Sequence, residues 1–344
     1  MIKYLPLSIS TQHLELLQQC VDPTPDGSNL SFKHKKIGAK TFWYLYVSIG
    51  NRRSEHYLGE ETQALLEKIN SQKGLWGTRS EDRALRSQLV AMLVAGGAAS
   101  IGAAEGRVLA LLEASGVFTT GAVLIGTFAF QSYANMLGVQ WSSSLRTQDV
   151  DLAHELSLPL ALSPKAQSID LRASLLESGL GFIEVPTLDR KSPSTRFKLL
   201  GKELIVELLL PMLGANSSKP IKIPSLGTYG EPVRFLEYLL EDTQVAVLLY
   251  KYGISVRVPS PRAFAIHKLV VSQRRPPTFA AKSQKDIQQA EQLFEVLLED
   301  RPGDLQLAIE AAHGMGDKFL NQLSSGCARM KKDLAEKINK MIFD

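Results

Sequence analysis

Cysteine is nearly absent from the 344 residues: Cys20 and Cys327 stand alone, one near each end. Two thiols so placed, with no ligand spacing around them, exclude a disulfide-built scaffold and a cysteine zinc site. Neither sign of charge dominates, since 39 Lys and Arg face 35 Asp and Glu for a formal +4. A total that mild permits a nucleic-acid partner without requiring one, and moves the question to whether the bases cluster. A membrane-spanning run is also lacking. The uncharged stretch Ser87–Ala104 is diluted by Gly96, Gly97, Ser100 and Gly102 and bracketed by Arg86, Glu105 and Arg107. It reads as a buried, closely packed helical region and not as a span. Met1-Ile2-Lys3 leads into a mixed segment with His13 and Glu15, not an apolar leader, so a cytoplasmic protein without a membrane partner is expected. No internal repeat and no low-complexity tract stand out.

What is present is ordinary globular material, 44% hydrophobic and 22% charged, in a length that suits about two domains at roughly 150 residues each. Residues 1–20 read as helical and Asp22–Gly27 as a break. Three short strands follow at Phe32–Lys36, Thr41–Ile49 and Glu55–Leu58, separated by turns at Gly38-Ala39-Lys40 and Gly50–Arg53. They carry Phe32, Phe42, Trp43, Tyr44, Tyr46 and Tyr57 among Lys33, Lys35, Lys36, Lys40, Arg52 and Arg53. A helix opens at Glu60–Ile69, and Ser80-Glu81-Asp82 reads as the start of another helical stretch over 80–115. Strands and helices alternate from 121 to about 270, and helices return at Ser283–Leu298, Asp304–Ala312 and Gly316–Ile342. The expected fold class is α+β, a mixed sheet with a small N-terminal β element and flanking helices. The expected divisions are 1–75, 76–118, 119–270 and 271–344.

Three features in the central part carry chemistry. Ala122–Ile125 reads as a short buried strand running through Gly126-Thr127 into a helix. Glycine there lets backbone N–H groups approach an anion at a helix N-terminus, although many such turns use glycine for conformation alone. Asp149 and Asp151 stand two apart on an expected strand, so they share a face while Val150 and Leu152 point into the core. Paired hard-oxygen ligands suit Mg²⁺, and a solvated strand end is the alternative. Glu207 lies in the apolar second arm of a hairpin, Arg196–Leu200 and Glu203–Leu210, with a two-residue turn at Gly201-Lys202. A carboxylate there needs a metal site or a basic partner.

Strand, Gly-Thr junction, helix, Asp-x-Asp strand and a later carboxylate resemble the polymerase-beta-like nucleotidyltransferase superfamily over about residues 119–300. The segments around Leu124–Ala129 and Asp149–Ala153 are similar to a bacterial nucleotidyltransferase-like family of uncharacterised proteins, and more distantly to abortive-infection nucleotidyltransferase toxins. The resemblance implies that Gly126 and Thr127 hold a nucleoside triphosphate. It implies that Asp149, Asp151 and Glu207 bind Mg²⁺ or Mn²⁺, with Glu207 helping to activate the acceptor. Thr127 stands where Ser is usual and Glu207 where Asp is more usual. Pro259-Ser260-Pro261 precedes a helix whose Lys268 matches a nucleotide-facing lysine of the toxin-like relatives, and Lys285-Asp286 matches a recurrent Lys-Asp pair. Lys285 and Arg274 are assigned to a phosphate-facing cleft, and Lys282 reads slightly better as a solvated helix end.

The implied reaction transfers a nucleoside monophosphate to an RNA, protein or small-molecule acceptor with release of pyrophosphate. The alternative is a nucleic-acid-binding or toxin–antitoxin interaction protein on the same fold. The basic-aromatic sheet, through Tyr44, Tyr46, Arg52 and Arg53, is a candidate RNA contact, with internal packing as the competing role. His154, close to the Asp pair, reads as a polar surface position.

Overall fold

In the computed structural model, residues 2–21, 30–49, 52–142, 149–155, 169–187, 192–217 and 219–343 are described, with backbone alone at 21, 47, 49, 52, 54 and 78–80. The break at Asp22–Gly27, the turn residues Gly50-Asn51, and Thr147-Gln148 ahead of the Asp pair lie outside them, as does the side chain of Arg52. The chain runs β1 (Lys3–Tyr4), α1 (Leu7–Val21), β2 (Leu30–Ile37), β3 (Lys40–Ile49), β4 (Arg52–Glu60), α2 (Gln63–Ala95), α3 (Ala103–Ala114), β5 (Val123–Ile125), α4 (Gly126–Met136), β6 (Val139–Gln140) and β7 (Asp149–Ala153). It continues α5 (Leu171–Leu176), β8 (Phe182–Glu184), β9 (Arg196–Leu199), β10 (Ile205–Pro211), β11 (Ile221–Ile223), β12 (Thr228–Val233), α6 (Leu236–Glu241), β13 (Thr243–Leu248) and β14 (Ile254–Pro259). Five helices close it: α7 (Pro261–Arg274), α8 (Ala280–Asp300), α9 (Pro302–His313), α10 (Asp317–Cys327) and α11 (Lys332–Phe343). The class is α+β.

The central sheet orders β11-β12-β10-β7-β5. β10 is parallel to β7 and to β12, and β5 is antiparallel to β7, so the sheet is mixed. Along one edge, β10 pairs first with β9, through Ile205–Glu207, and then with β12, through Leu209–Pro211. Alternation decides what faces where. Val150, Leu152, Val206, Leu208 and Leu210 are buried in the core, while Asp149, Asp151 and Glu207 point to the other face. The β9–β10 hairpin is present, but its turn is longer than the two residues expected. Leu199 N–H donates to the Leu204 carbonyl and Lys202 N–H to that of Leu199, leaving a four-residue connection with Gly201 at φ 71.

Helix α4 packs on β5 and β7 and is tied to the start of α7. Tyr133 of α4 is fully buried and donates to the Pro259 carbonyl at 2.8 Å, just before α7. Its ring packs edge-on against Phe264, 5.2 Å between centroids. Ser260 caps α7 by accepting from Ala263 N–H, and Pro261 fills the first turn, where a missing donor costs nothing. Ser283 then ties α8 to α7 by donating to the Ser272 carbonyl at 2.7 Å.

The helical expectations for the first third change. No helix starts at Ser80: α2 is a single helix from Gln63, capped by Thr62, which accepts from Leu65 N–H, and it passes unbroken through Ser80. The Ser87–Ala104 stretch is not one buried helix. α2 ends at Ala95, Gly97 turns at φ 91, and α3 begins at Ala103. Only Val90, Leu93 and Ala98 of it are buried, because a helix anchored on α1 through one face leaves the rest to solvent. The final Gly316–Ile342 stretch divides into α10 and α11. Strands β2-β3-β4 form their own sheet, which packs on α2 through Phe32 stacked on Trp76 at 4.7 Å. Both cysteines are buried and free. Among the described residues, no helix is long and apolar enough to cross a membrane.

Candidate active site

A pocket of about 330 Å³ opens where β5, β7, β10 and β12 meet α4, α6, α7 and α8. It brings together Gly126, Thr127, Asp149, Asp151, Glu207, Lys268 and Lys285 of the residues expected from the sequence. Register explains the carboxylates. Asp151 sits opposite Ile125 on β5 and opposite Glu207 on β10, and Asp149 lies two residues earlier on the same face.

Gly126 is required by this arrangement twice over. Its φ of 66 lies in the left-handed region, and a Cβ there would stand 2.1 Å from Asp151 Oδ2. Gly126→Ala is therefore expected to lower stability by at least about 1–2 kcal/mol from backbone conformation alone, with the displaced carboxylate adding to it. Urea unfolding checks this, and an unchanged midpoint would refute the left-handed conformation at this position. Immediately after it, α4 starts without any side-chain cap. Its first N–H groups have no partner within the helix and carry positive partial charge beside Asp151.

Charge in the pocket is mutually tuned. Burial, then the neighbouring Asp149, pushes the Asp151 carboxyl up to about 6, against Lys268, Lys282 and Arg275. Glu207 is pushed up to about 7 by burial and Asp151, with Arg196 opposing. Arg196 lies across from Glu207 in the β9–β10 register and reaches it at 3.2 Å. The basic partner considered for Glu207 therefore exists, and Glu207 also lines the pocket.

The opposite wall is basic and comes from α7 and α8. Lys268 is nearly buried and meets Asp286 Oδ1 at 2.6 Å, while Arg275 takes the other oxygen of Asp286. Burial lowers the Lys285 ammonium from its usual range. Lys282 is not simply a solvated helix end, since its Nζ comes within 3.5 Å of Asp149 Oδ2. Arg274 is outside the pocket, with its guanidinium over the Phe235 ring; its neighbour Arg275, the extended residue that ends α7, lines the pocket instead. His154 is not a surface residue. It is buried, bonded to the Thr120 carbonyl and to Ser225 Oγ, both at 3.1 Å, and away from the Asp pair.

Sequence reasoning passed over Glu231, His267 and Arg275, which also line the pocket. For His267 a signal existed: Phe264, His267, Lys268 and Val271 follow i, i+3, i+4, i+7 spacing on one face of α7, and Arg275 is the residue just past that helix's end. Glu231 is set only by the β10–β12 register, opposite Leu209.

Residues 103–314 match a family model described as nucleotidyltransferase, and every pocket residue falls inside that span. The chain belongs to this nucleotidyltransferase family. A crystal structure of an antigenic nucleotidyltransferase-like protein from Paracoccidioides brasiliensis is similar over 67% of this chain and 95% of its own, at 17% identity and a TM-score of 0.33. No curated protein matches the chain.

Membership in a nucleotidyltransferase family raises the question of a divalent ion. Among the described residues, no three His, Cys, Asp or Glu side chains are gathered closely enough to hold a metal as they stand. Asp149 leans toward Lys282 and Glu207 toward Arg196. The donor set nevertheless fits a hard cation in chemistry: carboxylates on adjacent strands, two of them held above their normal pKa partly by mutual repulsion.

Proposed function

We propose that this nucleotidyltransferase transfers a nucleoside monophosphate from a nucleoside triphosphate to an RNA, protein or small-molecule acceptor, releasing pyrophosphate. The observation that carries the reading is the pairing, within one pocket, of Asp149, Asp151 and Glu207 with the uncapped start of α4 and the Lys268–Lys285 wall. Asp149 and Asp151, with Glu207 beside them, would hold Mg²⁺ or Mn²⁺, which when bound neutralises phosphate charge and favours the ionised form of an acceptor hydroxyl.

The remaining work falls to the chain. The α4 N-terminus, Gly126 and Thr127 receive phosphate oxygens, as oriented N–H groups do at other helix starts. Lys268, Lys282 and Lys285 neutralise charge on the departing pyrophosphate, and Arg275 offers a planar set of donors. The acceptor oxygen bonds to the α-phosphorus as the bond to the bridging oxygen breaks, so catalysis is mainly positioning and charge compensation. In this reading residues 119–270 supply the carboxylates and Lys268, and the region after 270 supplies the other cations. RNA is favoured as acceptor by the β2-β3-β4 sheet. On its face away from α2, Lys35 lies over Tyr44 at 4.5 Å and Arg53 over Tyr46 at 4.2 Å, with Tyr57 60% exposed.

The test is incubation with each α-labelled triphosphate, Mg²⁺ or Mn²⁺, and cell RNA or protein extract. Label transfer that disappears in Asp149→Asn is expected. Triphosphate or nucleic-acid binding without any transfer would favour the binding-only alternative.

A further inference from the structure

The carboxylates of the pocket stand in strand order. Asp151 is on β7 and Glu207 beside it on β10. Glu231 is one strand further, on β12, opposite Leu209, which shares the face of Glu207. At the other end of this row, β5 leads into Gly126 and the uncapped start of α4. The proposed reaction uses the row only as far as Glu207 and leaves Glu231 without a role.

In-line displacement gives that end of the row a function. The attacking and leaving oxygens lie on opposite sides of the α-phosphorus. With the phosphates at α4, pyrophosphate leaves on the β5 side, and the acceptor approaches over β10 and β12. Glu231 is half-buried and lines the pocket there, and an apolar wall continues from it through Val233 of β12 and Leu236 and Leu239 of α6. Cations around the pocket are turned elsewhere: Lys268 and Arg275 hold Asp286, Lys282 reaches Asp149, and Arg196 reaches Glu207. Among the described residues, Glu231 has no hydrogen-bond or ion-pair partner. A carboxylate accepts hydrogen bonds and donates none, so this one repels phosphate and favours a donor. The part of the acceptor lying on β12 therefore carries an O–H or N–H group and no phosphate. The 3′ end of an RNA strand has that form. Its attacking 3′-hydroxyl has a 2′-hydroxyl beside it, and its terminal nucleoside offers a body for the apolar wall.

We propose that Glu231 accepts a hydrogen bond from the 2′-hydroxyl of the acceptor's terminal ribose, and so selects an RNA end over a DNA end. The neighbouring 3′-oxygen bonds to the α-phosphorus, its proton passes to water, and the bond to the bridging oxygen breaks to release pyrophosphate. This rests on the nucleotidyl-transfer reading of the same pocket. It makes Glu231 a specificity-determining residue on the acceptor side, with no part in holding the triphosphate.

The test is transfer from α-labelled triphosphates, with Mg²⁺ or Mn²⁺, to two oligoribonucleotides that differ only in a 2′-hydroxyl or 2′-deoxy 3′-terminal residue. Wild type is compared with Glu231→Ala, which removes the carboxylate, and Glu231→Gln, which keeps its shape and a neutral acceptor. The Gln variant serves if the Ala variant does not fold. Wild type is expected to prefer the ribose end by about 10–100-fold in kcat/KM, the worth of a hydrogen bond to a charged group. Ala should lose the preference and Gln keep a smaller part of it, with KM for the triphosphate unchanged in both. A merely structural role would not move the ratio between the two ends. Equal use of both ends by wild type, or an unchanged ratio in the folded variants, overturns the role of Glu231. Transfer to a protein or small molecule of a cell extract but to neither oligonucleotide overturns it too, and leaves the nucleotidyl-transfer reading standing. Absence of label transfer and of pyrophosphate release with every acceptor overturns that reading itself.

Discussion

Asp151→Asn is expected to reduce nucleotidyl transfer by about 10³-fold or more, the scale reached when a group stabilising transition-state charge is removed. The same substitution is expected to leave the thermal unfolding midpoint unchanged or raised. Asp151 is held at about 6 by burial and by Asp149, so its ionised form is disfavoured in the fold. Asparagine keeps the shape and removes the repulsion, a separation of stability from activity typical of functional carboxylates. The pH dependence has a definite sign. A carboxyl whose pKa is higher folded than unfolded contributes stability at low pH that is lost as pH rises through its folded value. For Asp151 that window runs from the ordinary carboxylate range to about 6, and Glu207 extends it to about 7. Wild type should therefore lose stability across this window in chelator, and the variant should lose less of it. Mg²⁺ should raise the wild-type midpoint at about pH 8 and much less at about pH 5, where Asp151 and Glu207 are protonated. Full transfer by the Asp151→Asn protein would sink the catalytic assignment.

How much of this was legible in the sequence divides along physical lines. Asp149-Val150-Asp151-Leu152 could be read because a strand has a strict period of two and its buried positions must be apolar. Glu207 was conspicuous inside an apolar strand for the same reason. The junction at Gly126 was visible as a residue type, but the 2.1 Å approach to Asp151 that makes it obligatory depends on β5–β7 register. Residues set by long-range register or helix packing were the ones passed over or misplaced. Glu231 enters only because β12 replaces β9 along the edge of β10. Arg275 rather than Arg274 faces inward where α7 ends and the chain turns extended, an end point that sequence neighbours do not reveal. Ser80-Glu81-Asp82 looked like a helix start because acids favour first turns. Yet α2 was already running from the Thr62 cap, and an established helix propagates more easily than a new one nucleates. His154 followed the Asp pair so closely that only the position of Ser225, on a distant segment, shows it to be a buried structural link.

Asp286→Ala is expected to lower folding stability by about 3–5 kcal/mol, the cost of leaving buried cations without their counter-charge. Asp286 is nearly inaccessible, yet both of its oxygens are occupied, by Lys268 at 2.6 Å and by Arg275. Burial alone would raise its pKa, but Lys268 and Arg275 outweigh burial and hold the carboxyl below its usual range. Its stabilisation is therefore present above the ordinary carboxylate pKa and lost only as pH falls through the depressed folded value. Lys268 sits at the pocket wall and is much more enclosed than Arg275, with side-chain exposures of 11% and 29%. Most of the loss should thus follow from Lys268, while Arg275 can turn toward water. This separates two roles in one experiment. Adding Lys268→Met to Asp286→Ala removes the enclosed charge and should recover part of the stability, a coupling read by a double-mutant cycle in urea. Nucleotidyl transfer should stay low in the double variant, because the cation that faces the phosphates has gone with it. If stability and transfer recover together, Asp286 only holds α8 against α7. If neither single nor double variant loses stability, the buried ion pair is not what joins the two helices at the pocket wall.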